Sequence, residues 1–144
     1  MVIGIFGESC TGKSTIAEAL IKKTGARIYT GKDFLKLAKN EEEARRMFIE
    51  LLISYESIAD TLIYVISEKE HLQLLPEKAV RILLTANLNI IKERFSKRMN
   101  GQLPAHVATM LEKKHGSFDN ERYDLRIDTT DSDVSVICDE IIKL

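Results

Sequence analysis

The sequence predicts an α/β fold of three layers, a five-stranded parallel sheet with helices on both faces. Three observations predict it. Short apolar runs alternate with helical patterns along the chain, as strand–helix–strand units joined by right-handed crossovers do. The first run, Val2 to Phe6, has no polar residue, as a central parallel strand covered on both sides requires. Between that run and a helical segment stands Gly7-Glu8-Ser9-Cys10-Thr11-Gly12-Lys13-Ser14, which fits G-x-x-x-x-G-K-[ST] at every position.

The elements follow in order. Residues 2–6 form the first strand, and residues 13–23 the helix after the glycine loop. Lys22 and Lys23 suit the negative end of that helix and Gly25 suits its C-cap. Arg27 to Thr30 is a weaker second strand, turned by Gly31, with a short helix from Asp33 to Lys39. Glu41 to roughly Asp60 reads as a strong helix. Met47, Leu51, Ser54, Tyr55 and Ile58 lie on one stripe, with Phe48, Leu52 and Ala59 beside it, and three glutamates at the favourable end. Thr61 to Ile66 is β-branched and aromatic, a third strand. Pro76 marks a break before the fourth, Ala79 to Thr85. Asn87 to Met99 is helical, ended by Asn100-Gly101, and Pro104 opens another helix to about Lys114, stopped by Gly116. Tyr123 to Asp128 is the last strand. Asp131 or Ser132 caps a closing helix whose apolar face is Val134, Ile137, Cys138, Ile141 and Ile142.

Composition bounds the function. The 144 residues suit one domain, 1–144, with a buried core. Hydrophobic residues make up 44% and charged residues 30%, with a net charge of −1. There is therefore no overall basic field for nucleic acid, and no stable nucleic-acid partner is expected. No apolar run approaches the roughly 20 residues that span a bilayer, so no membrane association is expected. Cys10 and Cys138 are far apart, giving neither a disulfide framework nor a zinc site, which suits a reducing, cytoplasmic location. Oligomeric state is left open; a homodimer would use the outward side of the 41–60 helix.

In sheets of this kind ligands bind at the carboxyl ends of the strands, which sorts the polar residues. After the first strand, a loop of backbone N–H groups at a helix N-terminus favours phosphate. Residues Gly7, Glu8, Ser9, Cys10, Thr11, Gly12, Lys13, Ser14 and Thr15 form that cradle. Lys13 reaches the β- and γ-phosphates and the Ser14 hydroxyl binds Mg²⁺. Cys10 reads as a small tolerated loop residue, with a reactive thiol at a helix N-terminus as the alternative. After the second strand, Asp33 either caps its helix or orients an acceptor and takes its proton. After the third, Glu68 is a candidate for the magnesium shell, against a solvated loop charge. After the fourth, Arg94 and Arg98 share a helical face and suit bridging of phosphate oxygens during transfer. The turn at residues 100–104 gives residues 92–118 the freedom of a mobile lid. After the fifth, Thr129 and Thr130 pass near the glycine loop, where they would contact a base. His71, His106 and His115 are scattered and read as surface residues.

These residues resemble a small P-loop kinase, and most of all the cytidylate kinase group. The resemblance rests on Gly7 to Thr15 (a Walker A motif), Thr30-Gly31, Ile82 to Ala86 leading into Arg94 and Arg98, and Ile127 to Thr130 before the closing helix. It implies a nucleotide-kinase-like domain and a phosphoryl transfer from ATP, with Mg²⁺, to a small acceptor: a nucleotide, nucleoside or metabolite. By the same resemblance Arg94 and Arg98 are lid arginines and Thr129-Thr130 lies near adenine. Cytidylate kinases follow the Thr-Gly pair with an acceptor-gripping arginine and a separate insert. This chain has Asp33-Phe34-Leu35-Lys36 and about 30 residues filled by one helix. An acid after the second strand is reminiscent of shikimate and gluconate kinases. The alternative function is a nucleotide-binding regulatory module with little or no kinase activity.

Overall fold

The computed structural model describes all 144 residues. Five parallel strands, β1 (Val2–Phe6), β2 (Arg27–Thr30), β3 (Leu62–Ile66), β4 (Val80–Thr85) and β5 (Leu125–Asp128), lie in the order β2-β3-β1-β4-β5. The predicted sheet is therefore present, with β1 at its centre. Phe6 pairs with Ile66 on one side and Leu83 on the other. Every residue of β1 is buried, because helices cover both faces.

One face is packed by α1 (Lys13–Thr24) and α5 (Val134–Ile142). Ile3 and Ile5 of β1 meet Ile16, Leu20, Ile137 and Ile141 there. The other face is packed by α2 (Glu41–Tyr55) and by two short 3₁₀ helices, Asp33–Leu37 and Lys69–Leu74. Its centre is aromatic. Phe48 lies 5.0 Å from Tyr29, 5.4 Å from Phe34 and 4.9 Å edge-on to Tyr64, measured between ring centroids. Two further helices, α3 (Leu88–Arg98) and α4 (Ala105–Lys114), close a smaller cluster over Cys10, Ala86, Ile91 and Leu111.

The structure corrects several local expectations. The helix from Glu41 stops at Tyr55, five residues short. Its last turn tightens as the Glu56 amide donates to Ile53, while the Ser54 hydroxyl donates to Leu51 and the Met1 ammonium donates to the Tyr55 carbonyl. Its buried stripe is Ala44, Phe48 and Leu52, with Leu51 and Tyr55 half-buried; Ile58 stays exposed. The closing helix is capped by Asp133, whose carboxylate accepts from the Ser135 amide at 2.7 Å. Neither expected residue takes that place, and Ser132 instead donates to the Asp128 carbonyl. Asp33 is the first residue of its 3₁₀ helix and not its cap. Its carboxylate reaches back to accept from the Thr30 amide at 3.0 Å, closing the turn after β2. His71 is buried, 5% exposed, between Phe34 and Tyr64; the 3₁₀ helix that carries it inward has no apolar periodicity.

Phe48 is fully buried at the aromatic centre. Phe48→Ala is expected to lower unfolding stability by about 3–5 kcal/mol, measured by urea denaturation, with the sheet retained by circular dichroism.

Candidate functional site

The turn between β1 and α1 has a shape that only its glycines permit. Gly7 has φ 154° and Gly12 has φ 95°. A Cβ on Gly7 would lie 2.3 Å from the Leu84 carbonyl oxygen of β4. A side chain there would push the loop off the sheet. The loop then closes on itself: the buried Thr11 hydroxyl donates to the Glu8 carbonyl at 2.8 Å.

Lys13 begins α1 and turns back into this loop. Its Nζ donates to the carbonyls of Gly7 at 2.8 Å and Glu8 at 2.6 Å, and the residue is 7% exposed. Burial lowers its pKa to about 8, and the nearby Arg98 charge pushes the same way against Glu8. No carboxylate pairs with it; the two carbonyls carry the compensation. A desolvated ammonium of this kind interacts strongly with added negative charge. Ser14 and Thr15 are exposed on the first turn of α1.

Three hydrogen bonds from distant elements reach the loop. Arg94 of α3 donates to the Cys10 carbonyl at 3.0 Å and to the Thr129 carbonyl at 2.7 Å. The Thr129 hydroxyl donates to the Thr11 carbonyl at 2.7 Å. Arg94 thus holds Cys10, a non-glycine at φ 63°, in a conformation that costs roughly 1 kcal/mol or more. The Cys10 thiol is buried in the α3–α4 cluster. Thr130 points elsewhere, its hydroxyl accepting from the Asn87 amide at 2.9 Å.

The remaining contact was not foreseen. The Glu8 carboxylate, 11% exposed, accepts from the Gly116 amide at 2.8 Å and lies 3.2 Å from His115 Nδ1. It latches the segment after α4 onto the glycine loop. The sequence offers no signal for it, since 108 residues separate the partners.

Two cavities flank the loop. One, of about 340 Å³, is lined by Gly12, Thr15, Arg94, Arg98, Thr129 and part of α5. The other, of about 300 Å³, is lined by Glu8 and Ser9, by Glu68 and Lys69 after β3, and by Lys114, Leu111 and Phe118. Glu68 thus reaches the side of the loop, and its carboxylate lies 4.0 Å from His71 Nε2. Asp33 lines neither cavity. It follows β2, two strands from β1, or about 10 Å at ordinary strand spacing. Arg94 and Arg98 share a cavity, but Arg94 spends its donors on backbone carbonyls while Arg98 is exposed and forms no ion pair. No three His, Cys, Asp or Glu residues are grouped so that they could hold a metal ion, and no helix is long and apolar enough to cross a membrane.

The fold is that of small P-loop kinases. A sugar kinase from a Janibacter species matches at TM-score 0.68 and 17% identity, over 99% of this chain and 92% of that one. A shikimate kinase from Acinetobacter baumannii, solved with shikimate, matches at 0.65 and 13%, over 99% and 90%. A gluconokinase from Sinorhizobium meliloti matches at 0.62 and 15%, over 99% and 89%. At these identities the likeness is one of fold. No protein-family model and no curated protein sequence matches the chain.

Two outcomes follow. Glu8→Ala frees the Gly116 amide, so its hydrogen-exchange protection falls at least tenfold while that of β1 is unchanged; equal protection in both proteins removes the latch. Lys13 has a folded pKa near 8, below its ordinary 10.5. The cost of its buried charge is therefore fully present below pH 8 and is relieved between about pH 8 and 10.5. The stability advantage of Lys13→Met over the parent protein is expected to shrink across that window in urea melts at stepped pH.

Proposed function

We propose that this chain is an ATP-dependent phosphotransferase that phosphorylates a small acceptor. The observation that carries the reading is the buried Lys13 ammonium, held by two carbonyls inside a glycine-shaped loop at the head of α1. The amides of residues 9–14 and this ammonium suit the β- and γ-phosphates of a nucleotide. The 340 Å³ cavity beside Gly12 and Thr15 suits the nucleoside, with Thr129 as its floor.

A magnesium ion fits the donors present. The Ser14 hydroxyl, exposed at the start of α1, would hold it; Glu68 lines the cavity on the other side of the loop and is assigned to the acceptor instead. A site with one or two protein oxygens, completed by phosphate oxygens and water, is what magnesium prefers. When bound, the ion neutralises charge between the β- and γ-phosphates.

The chain's own groups do the rest. Lys13 and Arg98 offset negative charge on the transferring group, whose equatorial oxygens share it in the transition state. Arg94 acts as a positioning residue, since its guanidinium braces the Cys10 and Thr129 carbonyls. The acceptor would lie in the 300 Å³ cavity against Glu8, Ser9 and Glu68, with Lys69 and Lys114 available to an anionic or hydroxylated molecule. Glu68 is better placed than Asp33 to take the acceptor proton, because it shares that cavity with the loop. The segment 92–118 would act as the lid, with the Glu8–Gly116 bond as its closing contact. The neighbours named for sugar, gluconate and shikimate support a metabolite acceptor; the cytidylate kinase resemblance supports a nucleotide.

ADP release from ATP and Mg²⁺ is measured across a panel of sugars, hydroxy acids and nucleoside monophosphates. Release that rises with one acceptor is expected; ATP binding without turnover on any acceptor marks the regulatory module instead. Lys13→Ala is expected to lose turnover by 10²-fold or more, and Arg98→Ala to lower kcat by about 10- to 100-fold with little change in ATP affinity. A drop in affinity equal to the drop in rate would place Arg98 in ground-state binding.

A further inference from the structure

A third cavity, of about 510 Å³, lies away from the phosphate loop, between the 3₁₀ helix after β3, the start of β4 and the segment before β5. Six of its seven lining residues are polar or charged, with Leu72 the seventh. Three cations line it, Lys69, Arg81 and Arg122, with Gln73 and the acids Glu70 and Glu121.

Arg81 is the unusual member. It is 9% exposed and sits on β4 opposite Gly4, and its side chain lines the cavity. It forms no ion pair. One Nη lies at the edge of hydrogen-bond range, 3.4 Å from the Pro76 carbonyl. The Nε is buried with no partner. The acid beside it is already spent: Asp124 accepts from the Arg81 backbone amide at 2.7 Å. Arg122, the neighbouring cation, is held by Glu77 at 2.8 Å. Burial, and then the Arg122 charge, pull the Arg81 pKa below its ordinary value, against a smaller opposing pull from Glu77 and Asp124.

A mostly buried guanidinium with no carboxylate at ion-pair distance and with an unused Nε donor is costly, and an apolar side chain of similar volume would do as well or better for stability. The missing half of this pair is a planar or tetrahedral oxyanion, whose two oxygens match the donor fork of arginine. We propose that this cavity binds a small oxyanionic ligand, a carboxylate or phosphate group seated on Arg81 with Lys69 and Arg122 at its rim. The site is distinct from the phosphate loop. Lys69 and Glu70 line both this cavity and the one beside Glu8 and Ser9, so they form the wall between the two.

The test observes arginine Nε–H signals of the full chain by ¹⁵N NMR during titration with inorganic phosphate and, separately, with malonate. A saturable shift of the Arg81 signal is expected. A shift with phosphate alone assigns a phosphate ligand, with malonate alone a carboxylate, and with both a general oxyanion site. An unmoved Arg81 signal overturns the proposal, including the case where only amides of residues 7–15 shift. Arg81→Met is expected to stay folded and to weaken the response of the Arg122 signal about tenfold or more, while ATP binding at the loop is unchanged. Arg122→Gln gives an independent variant, weakening the Arg81 titration severalfold; equal affinity in both variants and the parent overturns the site. Because loop signals are read in the same spectra, failure here is separable from failure of nucleotide binding.

Discussion

A buried ammonium with no carboxylate partner sets the terms for this molecule. Lys13 is enclosed by the turn it belongs to, and its ammonium donates to the Gly7 and Glu8 carbonyls with no carboxylate at ion-pair distance. A charge in such a place is tolerated when the surrounding dipoles cannot relax away from it. The turn must therefore be rigid, and much of the fold serves that rigidity. The central strand gives it a fixed origin. The close approach of Gly7 to the Leu84 carbonyl locks it to the neighbouring strand.

The brace is assembled from the far end of the chain. Arg94 bridges the Cys10 and Thr129 carbonyls, and the Thr129 hydroxyl adds a bond to Thr11. Glu8 reaches in the other direction, to Gly116. The same loop is thus tied on one side to the segment after β5 and on the other to the segment after α4. Preorganisation of this kind keeps amide dipoles aimed at one place without reorganisation when negative charge arrives. It also explains why two cavities open beside the loop, one on each tied side.

The two arginines of α3 show how equal spacing conceals unequal roles. Arg94 turns inward and becomes structural support for the loop; Arg98, one turn later, remains exposed beside Lys13 and lowers its pKa. The acids divide similarly. Asp33 is consumed by the turn after the edge strand β2, whereas Glu68 follows β3, which pairs directly with β1. Adjacency to the central strand, and not acidity alone, decides which carboxylate lines a cavity beside the loop. Arg81 is a third case, a cation whose partner the chain does not supply.

The five strands, their parallel arrangement, the glycine-shaped turn between β1 and α1 and the glycine ends of the helices could all be read from residue order. Apolar runs, helical periodicity and glycine placement are local quantities, and each constrains the main chain within a few residues. The extent of α2, the cap of α5, the burial of His71 and the latch at Glu8 could not be read that way. Each depends on a partner brought up by folding, such as the Met1 ammonium at the Tyr55 carbonyl or the Gly116 amide at Glu8, 54 and 108 residues away in the chain. Residue order alone therefore determined where the glycine-shaped turn falls and where the helix behind it begins. Tertiary packing decided which side chains serve it, because a side chain's task follows from what stands across the cavity, and spacing along the chain carries no measure of that.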